Sequence, residues 1–66
     1  MKIKTLVKAL LSPVDEVEMY AKDYELVSKM SQDTLLSEYG DYRVDKFWVY
    51  TDREGLTILE VSTKGL

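Results

Sequence analysis

The sequence predicts a small α+β domain, and three features predict it: a helical repeat of apolar residues at the start, an alternating hairpin near the end, and breakers at Pro13, Gly40 and Gly55 that separate the elements. The expected order is α-β-β-α-β-β, with about four strands in one small antiparallel sheet and two short helices on one of its faces. Residues 1–66 are read as a single domain, because a chain of 66 residues is near the lower limit for folding on its own core.

Ile3, Leu6, Val7, Leu10 and Leu11 recur at the spacing of one helical face, with Lys2, Lys4 and Lys8 on the other side. Ser12-Pro13 ends this helix, since a proline disfavours helical backbone in the residue before it. An initial strand competes, because Lys2 to Val7 also alternates. The continuation of helical register to Leu11 favours the helix.

Two readings compete from Ser12 to Met30. Ser12 as cap, Pro13 at the first helical position and the acids Asp15 and Glu16 would start a helix carrying Val17, Tyr20, Ala21, Tyr24 and Val27 on one face. Alternatively Val17, Met19 and Ala21 alternate with Glu16, Glu18 and Tyr20 as a strand, Lys22-Asp23 turns, and Tyr24 to Met30 returns. The hairpin is preferred, because a lone C-terminal hairpin closes a core over two helices poorly and a four-stranded sheet closes it well.

Ser31, Gln32 and Asp33 offer caps for a short second helix, with Leu35, Leu36 and Tyr39 as its apolar stripe and Gly40 as its stop. Arg43 to Ser62 then forms the final hairpin, which holds the only Trp and the only Phe. Its turn is Asp52-Arg53-Glu54-Gly55, with Gly55 placed to take a positive φ. Lys64-Gly65-Leu66 is read as a frayed tail.

Alternation assigns the strands two faces. The inner one holds Val17, Met19, Phe47, Val49, Leu59 and Val61, facing Leu6, Leu10 and Leu36. The outer one holds Glu16, Glu18, Tyr20, Lys46, Trp48, Tyr50, Ile58 and Glu60. Aromatic groups fringed by carboxylates make a docking surface, so Trp48, Tyr50, Tyr20, Glu16, Glu18 and Glu60 are the candidate partner-binding residues. Two alternatives stand beside this: the Trp48 face is the core and Phe47 and Val49 lie outside, or the face serves self-association. Fully burying one such side chain stabilises by roughly 1.5–3 kcal/mol, so a domain this small leaves several exposed only for a reason.

Composition narrows the chemistry. An apolar fraction of 45% belongs to a folded domain. With neither cysteine nor histidine, disulfides, thiolate zinc sites and histidine-dependent serine hydrolysis are excluded. Asp15 and Glu16 are adjacent and would point apart on a strand, no calcium-loop spacing occurs, and the glycines are isolated rather than arranged to cradle phosphate. No catalytic residue, metal ligand or cofactor is therefore nominated, and the protein is expected not to be an enzyme. The apolar run after Met1 is interrupted by Lys8 and stopped by Pro13, with no cleavage site, so a soluble, cytoplasmic product is expected.

The net charge of −3 conceals a polarity, since Lys2, Lys4 and Lys8 stand near the start without an acid among them. Those lysines read as the wet face of the first helix. The remainder is acidic, which disfavours direct nucleic-acid or membrane contact and favours a protein partner with a basic surface. The acids Asp15, Glu16, Glu18, Asp41, Asp45 and Glu60 read either as an anionic track imitating phosphates or as ordinary solvated groups.

The segments Leu10-Leu11-Ser12-Pro13-Val14-Asp15-Glu16-Val17 and Leu35-Leu36-Ser37-Glu38-Tyr39-Gly40-Asp41-Tyr42-Arg43-Val44 resemble short acidic proteins encoded by phages and mobile elements of Gram-positive bacteria. That resemblance implies a non-enzymatic accessory role in the cytoplasm of a bacterial host, with inhibition of host defence, in the manner of anti-CRISPR proteins, as one form of it. The expected function is a non-catalytic protein-binding module inhibiting a nucleic-acid-handling enzyme. The alternative is a self-associating accessory protein, such as a homodimer.

Overall fold

The computed structural model describes residues 1–21, 23 and 25–64. The elements are α1 (Ile3–Ala9), β1 (Glu16–Tyr20), β2 (Leu26–Met30), α2 (Gln32–Tyr39), β3 (Val44–Thr51) and β4 (Thr57–Thr63), in the expected order. Ser12 to Met30 is thus a hairpin and not a helix. Lys22, expected in its turn, Tyr24, expected to open the returning strand, and Gly65 and Leu66 of the tail lie outside the described residues.

The four strands form one sheet in the order β2-β1-β4-β3. Each hairpin is antiparallel, but the two hairpins meet through β1 and β4, which run parallel, so the sheet is mixed rather than wholly antiparallel. Asp15 starts that central pairing: its N–H donates to the Thr57 carbonyl at 2.9 Å, and its carboxylate accepts the Thr57 N–H at 2.7 Å. One side chain thereby stands in for a further rung of the ladder.

Both helices lie on one sheet face and close the core, in which Ile3, Leu6, Val7 and Leu35 pack with Val14, Val17, Met19, Leu59 and Val61. Two expectations about this core are corrected. Leu10 and Leu36 do pack against the core, partly buried, but Leu11 is fully exposed because α1 ends at Ala9 and Leu10 is already extended. Phe47 and Val49 do share the face of Val61 and Leu59, their register partners, yet they are 45% and 42% exposed. β3 is an edge strand, and the helices are centred over β1 and β4.

The helix ends are held differently. No side chain caps α1; its first N–H groups, from Ile3 and Lys4, donate to the carbonyls of Tyr42 and Gly40 at 2.9 and 3.0 Å. This satisfies donors a helix start cannot pair internally. α2 has the expected cap, Ser31, whose hydroxyl accepts the Thr34 N–H at 3.1 Å. Gly40 does stand at its C-terminal end, but with right-handed backbone at φ −56°; what requires glycine is space, since a Cβ would come within 2.6 Å of the Leu36 carbonyl oxygen.

The C-terminal turn forms as expected, with Gly55 at φ +84°. The Asp52 carboxylate organises it, accepting the N–H groups of Glu54 at 2.9 Å and Leu56 at 3.0 Å. An Asp side chain here mimics a backbone turn.

Candidate functional site

The register that builds the core also assembles the opposite face. Glu18 of β1 pairs with Glu60 of β4, which pairs with Trp48 of β3, and Lys29 of β2 completes that row on the other side. In the next row Glu16, Ile58 and Tyr50 stand side by side; on the far side Tyr20, Ser62 and Lys46 do. The six candidate partner-binding residues, Trp48, Tyr50, Tyr20, Glu16, Glu18 and Glu60, therefore lie together on the face that no helix covers.

They do not play equal parts there. Trp48 is 66% exposed, the most open aromatic ring on this face among the described residues. Tyr20 and Tyr50 are half-buried and tied down. Both hydroxyls donate to the same oxygen, Oε1 of Glu18, at 3.3 Å from Tyr20 and 3.4 Å from Tyr50, while Lys29 Nζ lies 3.5 Å from Oε2. Glu18 is the hub of the face, its side chain only 13% exposed.

The bond from Tyr50 has a consequence for packing. β3 and β1 are separated by β4, so their backbones are about 10 Å apart. Tyr50 reaches Glu18 only by laying its ring over β4, and Ile58, its direct neighbour there, is 2% exposed. The sequence alternation correctly put Ile58 on the outer face; its burial under a neighbouring aromatic ring has no signature in the spacing.

The phenols of Tyr20 and Tyr50 are both held above their ordinary value, first by desolvation over the sheet and then by the charges of Glu18 and Glu60. Neutral phenols are what the cluster needs, because each must keep its proton to donate to Glu18. Glu18 is matched to Lys29, and the other candidate carboxylates on this face are Glu16 and Glu60. Between Trp48 and Tyr20 lies a shallow concavity of about 600 Å³, bordered by Lys46, Glu60 and Ser62.

Other groups nominated from the sequence fall elsewhere. Asp41 sits at the helix side beside Lys4 at 2.9 Å and Lys2 at 3.9 Å, and these cations lower its carboxyl below the usual range. Asp15 is spent on the backbone of Thr57. Asp45 occupies a bulge where the β3–β4 register shifts. The acids therefore do not form one track. Among the described residues, no cluster of acidic side chains is arranged to hold a metal ion, and no helix is long and apolar enough to cross a membrane. No protein-family model matches the chain, no curated protein matches it, and no solved structure matches its fold.

Proposed function

We propose that this protein is a non-catalytic binding module that docks a protein partner on the open face of its sheet. The observation that carries the reading is Trp48, a large ring two-thirds exposed on the edge strand of a face whose other described aromatics, Tyr20 and Tyr50, are pinned by hydrogen bonds. A large aromatic ring left open beside rings that are already fixed is the kind of residue on which interface energy concentrates.

The electrostatics support a partner with a basic surface. Glu60 flanks Trp48 directly and Glu16 lies beyond Ile58, while the chain as a whole carries −3. Such charges steer encounter more than they add affinity. Joined to the resemblance to acidic phage proteins, this favours stoichiometric inhibition of a nucleic-acid-handling host enzyme by occupation of its basic groove.

The test is capture on immobilised protein from bacterial lysate at low salt, compared across variants. Wild type retains a partner that high salt releases, and both Trp48→Ala and Glu60→Lys lose it while keeping wild-type circular dichroism. A partner retained equally by Trp48→Ala, or none retained at low salt and high protein concentration, ends the proposal. A second reading, self-association, draws on a separate observation, the open edge of β3.

A further inference from the structure

The two edges of the sheet are unlike. β2 is short and its register is broken by a bulge. β3 runs eight residues, and Phe47, Trp48 and Val49 in its middle are all exposed, so an apolar edge is open on both faces. Proteins ordinarily shorten, charge or cover such an edge.

Among the described residues, only the start of β3 is covered. At the peptide joining Arg43 to Val44, the carbonyl accepts the Lys64 N–H on the β4 side at 3.2 Å, and the N–H donates outward to the Met1 carbonyl at 2.8 Å. Past the bulge at Asp45 the direction of each backbone group follows from its neighbours. Asp52 donates its N–H to Leu56 and accepts from Gly55, and the Lys46 carbonyl accepts from the Ser62 hydroxyl, so Lys46, Trp48, Tyr50 and Asp52 turn their backbone groups to β4. By alternation, the N–H and C=O groups of Phe47, Val49 and Thr51 point away from the sheet.

We propose that a second copy of this chain pairs with that edge, β3 against β3, antiparallel about a two-fold axis at Val49. In this register Val49 meets Val49, and Phe47 meets Thr51, so every outward donor and acceptor of Phe47, Val49 and Thr51 finds its counterpart. The intervening positions also agree: Trp48 comes beside Tyr50 of the second copy, and Lys46 opposite Asp52. An axis shifted by one or two residues toward Phe47 sets Val49 or Thr51 against the bulge at Asp45. A shift toward Thr51 sets Phe47 or Val49 against the turn that follows Asp52. The product is a continuous eight-stranded sheet whose outer face stays open. The pairing does not rest on the partner reading, and either can fail alone.

The register makes an unusual test available, because Val49 faces itself. Light scattering over a micromolar to millimolar series follows wild type from monomer to dimer. Val49→Lys and Val49→Glu each weaken the association by about tenfold or more, and an equimolar mixture of the two restores it, as unlike charges then oppose across the axis. Val49 is half-exposed, so both variants keep the fold, checked by circular dichroism. A second measurement needs no variant: amide exchange at Phe47, Val49 and Thr51 slows as wild-type concentration rises, while Lys46, Trp48 and Tyr50 do not change. A constant monomer, a dimer indifferent to both substitutions, no recovery on mixing, or amide protection independent of concentration overturns the proposal.

Discussion

The Tyr50 hydroxyl donates to the Glu18 carboxylate at 3.4 Å across an entire intervening strand, and Tyr20 donates to the same oxygen at 3.3 Å. The bond from Tyr50 ties β3 to β1 over β4 from the outside of the sheet, and the bond from Tyr20 fixes the acceptor within β1. The neutral phenols are favoured in the fold, so this contribution is complete below the ordinary tyrosine value of 10.0 and is lost as pH rises through the raised values. In urea denaturation this contribution is expected to hold up to about pH 10.0 and to be lost as pH rises further. In Glu18→Gln the alkaline titration of these phenols, followed by ultraviolet absorbance, moves down toward 10.0 without reaching it, since desolvation remains.

Thr63 is fully buried, and its hydroxyl has no hydrogen-bond partner among the described residues. A buried polar atom without a partner costs about 1–3 kcal/mol relative to an apolar group of the same shape. Thr63→Val is expected to raise unfolding free energy by about 1 kcal/mol in chemical denaturation. A destabilised variant would show that the hydroxyl is paired in solution.

The final turn separates two kinds of cost. A Cβ at Gly55 meets nothing within 4 Å, so Gly55→Ala is penalised through its positive φ alone, by about 1 kcal/mol. Asp52→Ala strips acceptors from two backbone N–H groups and costs about 1–2 kcal/mol. The comparison is read from denaturation midpoints of the two variants.

Trp48→Ala is expected to change stability by less than about 0.5 kcal/mol, as befits an exposed side chain. Its fluorescence in wild type should be red-shifted and readily quenched by acrylamide. Leu35→Ala removes a fully buried core side chain and costs about 2–5 kcal/mol, comparable to the whole stability of a domain this small. Loss of cooperative unfolding in Leu35→Ala but not Trp48→Ala separates the core from the open face.

The element order was legible because its signals are local: Pro13 after an apolar helical stripe, Ser31 before another, Gly55 between alternating runs. Facing was legible for the same reason, since period-two alternation says which residues share a side. Lateral order was not. Nothing between Ser12 and Met30 states that β1 will sit next to β4, because parallel neighbours are joined by contacts such as Asp15 with Thr57, far apart in sequence. Phe47 and Val49 were assigned the correct side but not its consequence, for exposure depends on where a strand stands in the sheet. Among the site residues, Trp48 and the acids were readable as a cluster, and Tyr20 is a same-strand neighbour of Glu18, whereas the attachment of Tyr50 and Lys29 to Glu18 depends on the registers of three strand pairs at once.

The peptide between Arg43 and Val44 receives Lys64 on one side and reaches Met1 on the other. Head and tail of the described chain are thus moored to the same link, about two strand spacings apart. A short flexible splice from Lys64 to Met1 would join these described residues into a ring, and reopening it between Arg53 and Glu54 would relocate the break to the far tip without cutting any helix or strand.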